Sequence, residues 1–313
     1  MRVLFLDQNK WIDLARGMKD PSHAAAPVFQ QLRQEVEAGR VICPLTITQI
    51  LETAKRNDLR TRTDVATAQA VLSRGHVYRS RKARLLVEMR IALHKIFDED
   101  PVALPQHWAI VPGFTQAFEI FDTAVGEPAQ VRVTHFLNQH LDPAAQYLDF
   151  ILNQDDARRR EGTLAFAEDS TALLTRIEER RALMTGSTTD LRYRAYAAKL
   201  FLDHQGYVAH MLQVIGHTVE EMKALGGEAV LQFMRDVPSL DVEAHLAARL
   251  ESQTGPLDVN DIRDVLSFYT AIPYSERLVS EKNFVSLARQ AKLDKKYNVA
   301  LHTNLQEVQA LWQ

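Results

Sequence analysis

One cysteine, Cys43, is all the chain carries in 313 residues, which excludes an internal disulfide framework and any metal cluster held by several thiolates. It stands beside Pro44 at the end of an apolar run, where a buried and inert thiol is expected. Long apolar runs are missing too. Segments such as VLFL (3–6) and AVLQF (229–233) fall far short of the ~20 residues a membrane-spanning helix needs, so no membrane partner is expected. Glycine is sparse and builds no phosphate-cradling loop; Gly17 and the pair Gly226–Gly227 read as helix stops. The tryptophans (Trp11, Trp108, Trp312) are too scattered for a base-stacking platform and suit core packing. His135 and His140 are five apart, the wrong spacing for two ligands on one helix face, and His94, His204 and His210 stand alone. Met1 and Arg2 lead straight into a strand-like run without the parts of a secretion signal, which points to a cytoplasmic protein.

What the chain has is an uneven charge. Between Lys55 and Lys95 there are eleven Lys and Arg against three acids, a local balance of +8 inside a net charge of −3. A basic stretch that follows an acidic motif suggests a polyanion held beside a metal site; the alternative is a solvated, Arg-rich helix face.

Strand-like and helix-like segments alternate over the first hundred residues. VLFL, VICPL and HVY read as short strands, with helices from Asn9, Ala26, Thr46 or Thr48, Asp64 and Arg79 between and after them. That alternation predicts a parallel sheet with helical crossovers. A Pro-bearing connection, DEDPVALPQHWAIVPGF, follows, and from there to about Ser239 every segment reads helical, including one long stretch from Arg192 to Leu225. Strand and helix return with NDIRDVLSFYTAIPY, RLVS, EKNFVSLARQAKL and VALHT. The expectation is an α/β domain split in sequence, with residues 1–98 and 241–313 forming it and residues 99–240 inserted as helices.

Four acids stand in apolar settings where a carboxylate is costly unless something needs its charge. Asp7 ends the strand VLFL, where ligand sites of open parallel sheets gather, and it is equally placed to cap the next helix. Asn9 and Lys10 follow closely. Glu52 shares a helix face with Gln49, three residues earlier; one of the two is expected to point at Asp7, and Glu52 can instead pair with Lys55 or Arg56. Asp264 and Asp261 begin the apolar helix VLSFYTAI, where the macrodipole favours acids in any case. Glu281 follows RLVS as Asp7 follows VLFL, with Ser280 as a phosphate or water ligand or a plain helix cap. Converging carboxylates are the donor set of a hard divalent cation.

In order, these segments resemble the PIN domain family of nucleases. VLFLDQNKWIDLARG is similar to that family's opening of strand, Asp, small residue, Asn or Asp, and helix. ICPLTITQILETAK resembles its second element, with Gln49 where the second acid usually falls and Glu52 one turn on. Asp264 and Glu281, 17 positions apart around RLVSEKNF, resemble its third. The likeness covers residues 1–95 and 255–313. It implies a PIN-like three-layer α/β sandwich with a short parallel sheet, here carrying a large all-helical insertion. It implies an endoribonuclease that hydrolyses RNA phosphodiester bonds with Mg²⁺ or Mn²⁺, of the kind that serves as a toxin or defence effector. Asp7, Asp264 and either Glu52 or Glu281 would ligate one ion, with the remaining acid at a second position. Asn9, Lys10, Gln49, Asp261 and Ser280 would support them. Arg56, Arg60, Arg62, Arg79, Arg81, Lys82 and Arg84 would hold the nucleic-acid backbone, RNA before DNA. Alternatives of the same likeness are a structure-directed DNA nuclease and a non-catalytic module, and the helical part leaves room for a homodimer or an inhibitor protein.

Overall fold

Val3, Leu4, Phe5 and Leu6 are all buried, so this apolar run is a strand covered on both faces rather than an amphipathic edge. The structure, a computed structural model, describes residues 1–309 except 120, 121 and 124; side chains at 138, 158, 163, 165, 166, 169 and 309 are not described. Trp312 lies outside the described residues. The chain is mostly helical (69%) with a small four-stranded parallel sheet.

Elements run β1 (Arg2–Leu6), α1 (Gln8–Lys19), α2 (Ala26–Glu37), β2 (Val41–Ile42), α3 (Ile47–Ala54), α4 (Leu59–Ser73), β3 (His76–Tyr78) and α5 (Arg81–Ile96). Next come β4 (Ile110–Pro112), α6 (Pro128–His140), α7 (Pro143–Asn153), α8 (Asp156–Leu183), α9 (Thr189–Asp203) and α10 (Gln205–Ile215). Then follow α11 (Val219–Ala224), α12 (Gly226–Asp236), α13 (Pro238–Ser252), α14 (Val259–Ala271) and β5 (Arg277–Val279). The chain closes with α15 (Lys282–Gln290), α16 (Leu293–Lys296), β6 (Ala300–His302) and α17 (Leu305–Gln309).

Two compact units result. The first comprises Met1–Ser80, Ala109–Asp169 and Thr270–Gln313; the second comprises Arg81–Trp108 and Ser170–Tyr269. These bounds differ from the expected breaks at 98/99 and 240/241, and the reason is packing between segments distant in sequence. Leu85, Met89 and Leu93 of α5 join the core of the second unit, whereas Tyr147 and Ile151 of α7 join that of the first.

In the first unit the parallel sheet has the order β2-β1-β5-β6. The register pairs Leu6 with Val279 and Val279 with His302, so the strands end level with one another. Around it, α1 packs on α2 and α4, and α4 on α7, over Leu6, Trp11, Leu14, Phe29, Leu32 and Leu72. The proline-bearing connection contains a strand that composition concealed: β4 pairs antiparallel with β3. Leu45 ties that ribbon to the chain beyond β2, its N–H donating to His76 O (3.0 Å) and its carbonyl accepting from Tyr78 N–H (2.9 Å). Gly17 proves not to be a helix stop. It lies inside α1, where an added Cβ would fall 2.6 Å from the backbone at Ala25 and Ala26, so its role is close approach of the two segments.

The second unit is helical. The expected single helix over 192–225 is three, interrupted at His204 and at Gly216 with its φ of 85°. Its core holds a buried polar cluster. Glu88 accepts from the N–H (2.9 Å) and the hydroxyl (2.7 Å) of Ser239 and so caps α13 from another helix, while Arg84 donates to the same hydroxyl at 2.9 Å. Both charged residues are 1% exposed. Glu88→Ala leaves Arg84 as a buried charge without that anion beside it, a change expected to destabilise by about 3 kcal/mol, read by urea denaturation. Among the described residues no helix is long and apolar enough to cross a membrane.

Candidate active site at the carboxyl ends of the sheet

Because β1 and β5 are adjacent and parallel, the residues that follow them meet. Asp7 N–H donates to Val279 O at 2.9 Å, extending the ladder by one step and setting Asp7 beside Ser280. Ser280 is fully buried, and its hydroxyl donates to Asp7 Oδ2 at 2.7 Å. The other oxygen, Oδ1, accepts from Gln8 N–H at 2.7 Å, so Asp7 is also the N-cap of α1. Ser280 therefore does not cap α15; the cap position is Glu281, whose side chain makes no capping bond. Glu281 instead accepts from the Asn9 amide, which reaches across from the first turn of α1.

Asp7 is 7% exposed, and burial holds its carboxyl above the usual carboxylate range. The neighbouring charge of Glu281 pushes the same way, while the Ser280 and Gln8 hydrogen bonds and Lys10 push it down. Crowded carboxylates explain only the smaller part; burial is the first cause.

Gln49 and Glu52 separate cleanly. The Gln49 carboxamide closes a capping box with Thr46 and donates to the carbonyl of Leu6, at the very end of β1. Glu52 pairs with Lys55 at 3.8 Å, its side chain 16% exposed. The residue turned toward the sheet end is thus Gln49, an amide where the resemblance implies an acid. Asp261 is taken up in starting α14, accepting from Asp258 N–H at 2.9 Å while Asp258 accepts from the N–H of Asp261 at 3.1 Å. Asp264, half-buried, sits in the second turn of α14 within the second unit.

The basic stretch is less available than its sequence suggests. Arg84 and Arg62 are buried, Arg62 donating to the carbonyl of Arg56 at 2.7 Å. Arg81 pairs with Glu243 at 2.7 Å and lies over the Tyr269 ring, and Arg79 pairs with the buried Asp122 at 3.1 Å. Lys82 stands 5.9 Å from the Tyr207 ring, Arg60 is exposed, and Arg56 is half-buried.

Residues not singled out in the sequence brace the site from below. Gln8 Nε2 donates to Thr53 Oγ1 (3.1 Å), whose hydroxyl donates to Gln69 Oε1 (3.0 Å); the Tyr147 hydroxyl donates to the same oxygen at 2.5 Å. This chain ties α1, α3, α4 and α7 together behind Asp7. The signal available was slight: Gln8 directly follows the motif aspartate, and Thr53 lies one turn after Gln49.

Asp7, Glu281 and the Asn9 carboxamide form an all-oxygen donor set of the kind a hard cation takes. Among the described residues no group of three or more His, Cys, Asp or Glu stands close enough to hold a metal ion. No protein-family model matches the chain, and neither a curated protein nor a solved structure matches it.

Proposed function

We propose that the first unit is a PIN-like module with metal-dependent endonuclease activity on single-stranded RNA. The observation that carries this reading is the pair Asp7 and Ser280–Glu281 at the carboxyl ends of two adjacent parallel strands, with Ser280 bonded to Asp7 and Asn9 bonded to Glu281. Asp7 and Glu281 would hold a Mg²⁺ or Mn²⁺ ion, which when bound acidifies a coordinated water and neutralises charge gathering on a phosphate. The chain's own residues set the rest. Ser280 and Gln8 fix the Asp7 carboxylate in one orientation, Asn9 fixes Glu281, and Lys10 places a positive charge beside them. Gln49 anchors α3 to the end of β1, which keeps the floor of the site rigid.

The test is cleavage of labelled single-stranded RNA and DNA with Mn²⁺, Mg²⁺ or EDTA, beside Asp7→Asn and Glu281→Gln. Asp264→Asn belongs in the series because the resemblance counts it among the acids. Cutting that needs the metal and fails in the variants supports the reading, with RNA cut faster than DNA. Protein that neither cuts nor gains melting temperature with metal is instead the non-catalytic module. Gln49 is the observation favouring that second reading, since an amide at the sheet end supplies no charge to a cation.

A further inference from the structure

At the far end of α1 from Asp7, the surface of the first unit folds into a concavity of about 420 Å³. Its walls include Arg16 and Lys19 from the last turn of α1, His23 just beyond, and Arg56 and Asp64 from α4 and the turn before it. Compensation of these charges is uneven. Lys19 pairs with Asp64 at 3.0 Å, and Arg16 reaches Asp13 at 3.6 Å with its own side chain 65% exposed. Arg56 has less: its Nε is buried with no hydrogen-bond partner among the described residues. The charges acting on it are Glu52, already paired with Lys55, and the like-charged Arg16. Burial presses the Arg56 guanidinium below its ordinary value; the Glu52 charge opposes this, and Arg16 adds a smaller push in the same direction as burial. The wall also holds one acid that no cation pairs with among the described residues, Asp20, whose Oδ1 accepts from the N–H and hydroxyl of Ser22 at 2.9 and 2.7 Å. His23 Nδ1 accepts from Ala25 N–H at 3.2 Å, which leaves the ring proton on Nε2 as a donor.

Arg56, half-buried with its Nε unpartnered among the described residues and sharing the concavity with Arg16, carries a burial cost that an anion bound there offsets. We propose that this concavity is a binding site for a phosphate group, gripped by Arg56 and Arg16 with Lys19 and His23 contributing. The planar guanidinium fork suits the paired oxygens of a phosphate. That the phosphate belongs to a polynucleotide rests on the nuclease reading. Arg16 and Lys19 follow the Asp7 cap by nine and twelve residues, ~13–18 Å along a helix. A stacked strand carries about four or five phosphates over that distance.

The full chain is tested in EDTA, so that no strand is cut. Melting is followed in inorganic phosphate against chloride at matched ionic strength for the wild type, Arg16→Gln and Arg56→Gln. Binding of a labelled single-stranded RNA of about 12 nucleotides is followed across a salt series. Phosphate is expected to raise the wild-type melting temperature, Arg16→Gln to lose at least half of that rise and Arg56→Gln nearly all of it. The slope of log affinity against log salt should fall by ~0.7 for each lost contact. Equal protection by phosphate in all three proteins overturns the site. Arg16 is mostly exposed, so its variant keeps the test sound even if Arg56→Gln fails to fold. Protection that depends on the arginines without any change of RNA salt slope assigns the site to free phosphate or a mononucleotide. Cleavage with metal is read separately: activity without the phosphate effect removes this site alone, and the phosphate effect without activity removes the nuclease reading alone.

Discussion

Asp7→Asn is expected to remove most of the proposed metal-dependent cleavage and at the same time to make the metal-free protein harder to melt at neutral pH. The two effects share a cause. Asp7 is buried, its carboxyl is held above the ordinary range by that burial, and Glu281 adds repulsion. The fold therefore holds the proton more tightly than the unfolded chain does, and the ionised form costs stability. That cost is absent below the unfolded carboxyl's value of ~3.9, grows between that value and the higher folded one, and is complete above it. Asparagine keeps an acceptor for the Gln8 N–H and offers Ser280 a donor in place of an acceptor. The variant is thus expected to gain a few degrees at pH 7, on the scale of ~1–2 kcal/mol, and nothing near pH 3.5. Metal reverses the order. Saturating Mn²⁺ or Mg²⁺ should raise the wild type by up to ~2.7 kcal/mol at a hundredfold excess over the dissociation constant and leave the variant unmoved. Cleavage should fall by at least ~100-fold, since losing a direct ligand exceeds the usual penalty for disturbing an outer-shell partner. Calorimetry at both pH values, with and without metal, reads the stability side; a variant that melts earlier than wild type at pH 7 without metal would contradict it.

Gly75→Ala is the most damaging single methyl expected in the first unit. Gly75 follows Arg74 between α4 and β3, with φ of 73° after one of 50°. The left-handed backbone alone costs an alanine there about 1 kcal/mol. Steric overlap costs more: the added Cβ would fall 2.3 Å from the backbone carbon and 2.5 Å from the carbonyl oxygen of Pro143, the first residue of α7. Neither atom can swing aside as a side chain would. The start of α7 must move, and with it Tyr147, which is fully buried and bonded to Gln69 behind the site. A loss of ~4 kcal/mol or more is expected, in the range that marks a forced backbone rearrangement. Gly39→Ala separates overlap from backbone strain, because Gly39 has a similar φ of 68° and open space around it. It should cost about 1 kcal/mol. Urea denaturation of the two variants side by side gives the cost of the overlap with Pro143 as the difference between their losses.

The sheet end was legible in sequence because its signals are local. VLFL followed by Asp, Thr46 opening a helix, and RLV followed by Ser-Glu each state a strand or cap within a few residues, and the parallel register then brings Asp7 and Ser280 together. What was not legible depends on partners far away in the chain. Gln49 and Glu52 lie on the same stretch of one helix, and the choice between them is made by the Leu6 carbonyl, 43 positions earlier. Arg84 looks like a surface cation until Ser239 is placed against it, 155 positions later. The strand β4 hides in a proline-bearing segment because it is three residues long and only Ile110 of it is buried. The allegiance of α5 and α7 to opposite units follows from which cores their apolar faces fill, which no local pattern encodes.

Asp7 and Ser280 touch across 273 positions of sequence. During synthesis β1 precedes its central neighbour β5 by the whole of the second unit. At 5–20 residues per second, that interval is roughly 15–50 s. Over that time VLFL has β2 on one side and nothing on the other, an apolar strand edge of the kind that recruits foreign strands. The helical unit has all its residues once residue 269 is made, while the site-bearing unit remains an unfinished sheet until its last strands arrive. The candidate site, on this view, is assembled late, and a ribosome that stalls before residue 277 releases a chain in which Asp7 has no Ser280 to meet.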